Sequence, residues 1–332
     1  MEPRRILVVQ LRRIGDIILS GPAIAALKKR YPRAAIHLLV EPPAVDAVKG
    51  LPFLDEVIVY DAKGVLDAVL WALSLRRRKY DLVVDLMGNP RTALVTALSG
   101  AAVKAGPAHV FHRWAYTLAL PQSSDRTYYA AREKLRMLAP LGVKDEECPL
   151  PVWPRLAADR PGDPPRNLVG FVPASRKETR RWPAEKYSEL GRLLREKHGC
   201  EILVLWGPGE RALAEEVVKG IGEGARASQE TKTLQAAADL ISGCRLVVTN
   251  CNGPKHIAVA LGVPTVTVHG SSDPAAWNPP SPKHLVVRRE ELACIGCMKN
   301  SCPTQLECLR DLPASRVLAA CDTLLAGAKA LK

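Results

Sequence analysis

An α/β protein made of two doubly wound, parallel-sheet domains is predicted by three features of this 332-residue sequence. Short β-branched runs alternate with helical stretches in both halves, the pattern of parallel sheets covered by helices. One stretch rich in Pro, Asp and Arg, residues 144–167, has no apolar period and separates the two series. The chain is also long for a single core, and two domains of roughly 150 residues each are the natural division. The expected bounds are residues 1–155 and 156–332.

The elements follow in order. RILVVQL (5–11) is apolar and β-branched, a buried strand, and AIAALKKRYP (23–32) is a helix. AIHLLVE (35–41) and EVIVYD (56–61) are strands, residues 65–78 a long helix, and DLVVDLMG (81–88) a further strand. Beyond the linker the alternation restarts with strand NLVGFVPA (167–174), amphipathic helix EKYSELGRLLREKH (185–198) and strand EILVLWG (201–207). Helices at 209–220 and 233–242, strand RLVVTN (245–250), helix KHIAVALG (255–262) and strand PTVTVHG (264–270) complete it. Right-handed crossovers follow from strand twist. Two such domains are expected to enclose a cleft, and ligands of these sheets sit outside the carboxyl ends of the strands.

A formal charge of +13 implies an anionic partner. Basic clusters recur at Arg12-Arg13, Lys28–Arg30, Arg76–Lys79, Arg176-Lys177 and Arg180-Arg181. Nucleic acid is not favoured, since zinc-finger spacing, RNP-like aromatic strands and helix-turn-helix signals are all missing. An anionic lipid surface fits the charge as well, and solvated helix faces remain the plain alternative. No apolar run approaches the ~18–20 residues that span a bilayer. The start, MEPRRILVVQLRR, lacks a separate apolar segment and cleavage site, so a cytoplasmic protein is expected. Of nine cysteines, Cys294, Cys297, Cys302 and Cys308 are bunched as C-x2-C-x4-C-x5-C. Metal ligands, disulfides and free thiols all stay open for this cluster, which is read as structural.

Four loops after predicted strands carry the chemistry. In LRRIGD-IILSGPA (11–23), Gly15 permits an unusual backbone conformation and Asp16 is placed to take a proton as a general base; helix capping is its alternative role. PASRKETRRWPAEKYSEL (173–190) brings Ser175, Arg176, Lys177, Arg180 and Arg181 to a helix start, which suits a diphosphate leaving group. In VLWGPGERALAEEV (204–217), Glu210 is a candidate for ribose hydroxyls, or simply an acid beginning a helix. LVVTNCNGPKHIAVALGVP (246–264) ends a strand at Asn250-Cys251-Asn252-Gly253, with Pro254 opening a helix whose first amides form an anion site within reach of His256.

In order and spacing these loops resemble glycosyltransferase family 9, the ADP-heptose:lipopolysaccharide heptosyltransferases, from about residue 4 to 320. KYDLVVDLMGNPRTALVTALSGA (79–101) is similar to the family's strand-loop-helix with an Arg, here Arg91, and TKTLQAAADLISGCRLVVTN (231–250) to the stretch lining the adenine pocket, here Thr233 and Leu234. The resemblance implies a GT-B fold of two facing Rossmann-like domains, acceptor on the first and nucleotide-sugar on the second. It implies metal-independent inversion without a cofactor, on a monomer at the inner face of the cytoplasmic membrane. Asp16 matches the family's base, and Arg180 stands where a phosphate-binding Lys is usual. Arg181, Glu210, Gly253, Pro254 and His256 fall to the donor, and Arg12, Arg13 and Arg91 to an anionic glycolipid acceptor. One departure stands out: N-C-N-G-P-K-H replaces N-D-S-G-P-x-H, putting Cys251 where an acid is expected to meet the donor sugar and Asn252 where a hydroxyl is usual. A hexosyltransferase, a nucleotide-sugar epimerase, or a binding protein without turnover are the competing readings.

Overall fold

The structure, a computed structural model, describes residues 2–121, 128–144, 148–154 and 167–327. The chain forms two compact units, Met1–Leu156 and Ala157–Lys332.

Unit 1 holds a six-stranded, all-parallel sheet of β1 (Arg5–Val9), β2 (Ala35–Val40), β3 (Glu56–Val59), β4 (Leu82–Asp85), β5 (Val103–Pro107) and β6 (Leu118–Leu120), in the order β3-β2-β1-β4-β5-β6. Unit 2 repeats this plan with β7 (Leu168–Val172), β8 (Glu201–Val204), β9 (Ala225–Ala227), β10 (Leu246–Asn250), β11 (Thr265–Val268) and β12 (His284–Val287), ordered β12-β11-β10-β7-β8-β9. Both therefore have the Rossmann order, reversing direction beside the first strand. The central strands are covered on both faces: β4, β7, β10 and β11 are buried throughout, and their polar residues Asp85, Thr249, Asn250, Thr265 and Thr267 are buried with the rest. The edge strands β6 and β9, LAL and ARA, carry little β signal, and the sequence reading passed over them together with β5 and β12.

Local chemistry sets the helix boundaries. Helix Pro90–Leu98 begins at a capping box in which Asn89 Oδ1 accepts from Thr92 N at 2.8 Å and Thr92 Oγ1 from Asn89 N at 3.1 Å. Helix Ala184–His198 starts after Pro183 and stops at left-handed Gly199. The expected long helix at 65–78 is α-helical only over Val65–Ser74 and tightens to a 3-10 turn over Leu75–Arg78. The expected linker is shorter than read: Trp153 and Pro154 are buried within unit 1, Pro154 lying 3.8 Å from where a side chain at Gly50 would begin. Residues 145–147 and 155–166 of that stretch lie outside the described residues.

Candidate active site

In each unit the strand order reverses between two central strands, β1 and β4 in the first, β7 and β10 in the second, and the carboxyl ends of such a pair are where sheets of this kind bind ligands. Three of the four loops singled out in the sequence leave those ends, and the fourth, residues 204–217, follows β8 beside β7.

In unit 1, Gly15 and Asp16 are not in an open loop but within a short helix, Ile14–Ile18, and Gly15 is not among the left-handed glycines. Asp16 caps neither this helix, whose N-cap is Arg13, nor Gly21–Arg30, whose N-cap is Ser20. Its side chain instead faces Lys134, with Nζ 3.8 Å from Oδ1 and both side chains largely buried. Burial pushes the Lys134 ammonium down, and the Asp16 carboxylate pulls it back up. Lys134, on helix Ala130–Met137, was missed by the sequence reading, because nothing in AAREKLRM marks one lysine as buried. Arg12 and Arg13 are exposed next to Asp16, with the Arg12 amide donating to Gln10 Oε1 at 3.3 Å. Arg91 pairs with Glu41 at 2.8 Å and lies over the Tyr60 ring, so it ties together the carboxyl ends of β2, β3 and β4. Beneath it Asp85 is fully buried. It accepts from the amides of Met87 and Gly88 and from the Tyr116 hydroxyl at 2.7 Å, yet burial still raises its pKa.

In unit 2 two asparagines clasp the central loops. Asn250 donates to the Pro173 carbonyl at 2.8 Å and accepts from Trp182 N at 3.0 Å. Asn252 donates to the Ala174 carbonyl at 2.9 Å while capping helix Gly253–Ala260 through Lys255 N at 3.1 Å. Arg181 spends its guanidinium on the Ser175 carbonyl, at 3.2 and 2.6 Å, and so shapes the loop. Arg180 differs: its Nε is buried with no hydrogen-bond partner. A side chain at Gly253 would meet nothing within 4 Å, so the first turn opened by Pro254 borders open space. Cys251 is buried, and Lys255 after it is fully buried with its ammonium on the Trp277 carbonyl; burial brings it down to about 8. His256 is buried, edge-on to Trp277.

The outer loops form a second pair. Glu210 Oε2 accepts from Gly207 N at 2.9 Å and closes the Gly-Pro-Gly turn, while Thr231 Oγ1 donates to the Trp206 carbonyl at 2.7 Å. Thr233 caps helix Leu234–Ser242 through Ala236 N at 3.1 Å. One Glu210 oxygen thus has a structural task that the ribose reading did not foresee.

All nine cysteines are free, Cys294 and Cys297 on the surface, and among the described residues no three His, Cys, Asp or Glu side chains are disposed to hold a metal ion. The metal option for Cys294, Cys297, Cys302 and Cys308 finds no support in this geometry. Their segment has a mechanical role instead. Thr179, next to Arg180, donates to the Lys299 carbonyl at 2.9 Å and bonds Ser271 Oγ at 3.0 Å, and Met298 N donates to the Ser271 carbonyl at 2.7 Å. The Cys-rich stretch therefore braces the turn that carries Arg180.

Two Rossmann-like units, each with charged loops at its switch point, are the architecture of the GT-B class. The profile of glycosyltransferase family 9 (heptosyltransferase) matches residues 71–307, and the chain belongs to that family. Lipopolysaccharide heptosyltransferase 2 of Salmonella typhimurium is 26% identical over 315 residues, which cover 86% of this chain and 88% of that protein. In fold, the chain is similar to a family 9 glycosyl transferase of Veillonella parvula, with TM-score 0.84, 24% identity and coverage of 98% and 97% of the two chains. It is likewise similar to the E. coli ADP-heptose lps heptosyltransferase II, with TM-score 0.80, 23% identity and coverage of 98% and 99%.

Proposed function

We propose that this enzyme transfers a heptose from ADP-heptose to a hydroxyl of a lipopolysaccharide core, with inversion at the anomeric carbon and without a metal ion. Unit 1 takes the acceptor and unit 2 the donor. Asp16 accepts the proton as the acceptor hydroxyl attacks, with its side chain held by the Lys134 ammonium 3.8 Å away. Arg180 and the amides that begin helix Gly253–Ala260 meet the departing diphosphate, whose growing charge they offset. Arg in place of the usual Lys adds bidentate geometry.

The observation that carries this reading is the double clasp by Asn250 and Asn252. It draws the Arg180 turn and the open helix start at Gly253 to one switch point, with a guanidinium nitrogen left unpaired there. Arg181, Ser175 and Glu210 act in the reading mainly by holding these loops, with Thr233 and Leu234 beside the base and Arg12, Arg13 and Arg91 toward an anionic acceptor. Cys251 favours a second donor, since a thiol is a poor acceptor for sugar hydroxyls. A hexose on the same diphosphate is that alternative. The enzyme is placed at the inner face of the cytoplasmic membrane, where such an acceptor resides; no helix among the described residues is long and apolar enough to cross it.

Transfer assays with ADP-heptose and a heptose-deficient core acceptor test the reading. Asp16→Ala is expected to lower kcat by at least about a hundredfold with donor-induced thermal stabilisation intact. Full activity in that variant removes Asp16 as base, and stabilisation by UDP- or GDP-sugars rather than ADP-heptose removes the donor.

A further inference from the structure

Asp16 sits on a helix too short to hold its own shape. Ile14–Ile18 has five residues, and its N-cap residue Arg13 makes no side-chain capping bond. A helix of that length has no independent stability in water. A carboxylate that must meet an acceptor hydroxyl needs a fixed backbone beneath it, so groups outside the helix supply the order.

Two fully buried polar residues, Gln10 and Ser20, bracket this helix. Gln10 follows β1, and its amide extends the pairing to β2 by donating to the Leu39 carbonyl at 3.1 Å. Its side chain reaches both ends of the segment that carries Asp16. Oε1 accepts from Arg12 N at 3.3 Å ahead of the helix, and Nε2 donates to Ser20 Oγ at 3.3 Å behind it. The side-chain amide has one orientation here, because a main-chain N–H can only donate and so claims the oxygen. Ser20 Oγ in turn donates to the Asp16 carbonyl at 2.8 Å, while the Ser20 amide goes to the Ile17 carbonyl at 3.0 Å.

Ser20 occupies the N-cap position of helix Gly21–Arg30, where a serine oxygen ordinarily accepts from the first amides of its own helix. It makes no such bond. Serine hydroxyls elsewhere do turn back to the carbonyl four residues earlier, but that bond alone needs no second buried partner. Here the Gln10 donor occupies the Ser20 oxygen and leaves the hydroxyl proton for Asp16.

We propose that Gln10 is a positioning residue for the transfer: through Ser20 it fixes the main chain at Asp16, while Lys134 holds the carboxylate itself. Gln10 is fully buried, so it touches no substrate and acts only through Asp16. This role rests on the reading of Asp16 as the base.

The test is the initial rate of full-length Gln10→Leu and Ser20→Ala with ADP-heptose and a heptose-deficient core acceptor. Each change is expected to lower kcat about tenfold, with the KM for ADP-heptose within about twofold of the parent and the ADP-induced thermal shift intact. Combined with Asp16→Ala, the same changes should cost nothing further, since a residue that acts through Asp16 has nothing left to act on. The same loss repeated in that background overturns the proposal, and so does a parent-like kcat in both single variants. If Gln10→Leu folds poorly, Ser20→Ala, which deletes one oxygen, carries both the single and the combined measurement. Full activity of Asp16→Ala defeats the base and this role with it. An inactive Asp16→Ala beside unaffected Gln10 and Ser20 variants defeats only the positioning.

Discussion

Lys134 shows how far a single side chain's task depends on what surrounds it. A lysine on a surface helix is ordinarily a solvated charge, but here it is buried against Asp16. Removing a charge from water is costly, so such a lysine persists where a carboxylate offsets the loss. Lys134 is best described as a positioning residue, since it acts through Asp16. Lys134→Met is expected to lower kcat/KM by about tenfold or more, because Asp16 loses the group that holds its side chain in place; Lys134→Arg should restore part of the loss. An unchanged kcat/KM in Lys134→Met would reduce Lys134 to a packing residue. Cys251 is the opposite case: the departure is visible in the sequence, and the structure adds its burial beside an equally buried Lys255.

At the level of elements, the loops after β7 and β10 behave as one device. Asn250 lies at the end of a fully buried strand, and both its amide atoms are bonded to backbone on the neighbouring loop. Asn250→Ala would strand a buried carbonyl and a buried amide, costing about 3 kcal/mol of stability. The same change should raise KM for the donor more than it lowers kcat, because the Arg180 turn loses its anchor; denaturant titration and initial rates check the two effects. The Cys-rich segment belongs to the same assembly through Lys299 and Met298. Spacing alone left its purpose open because its contacts are made by backbone, which carries no signature in residue identity.

Across the whole molecule, unit 2 carries an acid-sensitive core. Burial holds His284 down to about 4 and His269 well below its ordinary value, the latter also opposed by Lys255, Arg288 and Arg180. The unfolded chain binds these protons near pH 6.5 and the folded chain does not, so stability falls as pH drops below 6.5 toward 4. His284 alone should cost on the order of 2 kcal/mol at pH 5 relative to neutrality. Melts between pH 7 and 5 should show it, and His284→Gln should flatten the slope. A slope unchanged in that variant would mean that His284 is solvated in the native state.

Much of this protein was legible in its sequence. The β-branched runs of β1, β4, β7 and β10 declare themselves because strands covered on both faces read as near-continuous apolar runs. Gly253 with Pro254, and Trp182 with Pro183, announce helix starts because few residues tolerate those backbone positions. Edge strands such as LAL and ARA stayed hidden because a half-covered strand places little demand on residue type. Contacts between distant segments were equally hidden: Lys134 to Asp16, Arg91 to Glu41, and Thr179 to Lys299. Periodicity and turn chemistry are local properties that the chain carries in any state. Which charge meets which across a hundred residues is decided only when packing brings the loops to a common edge.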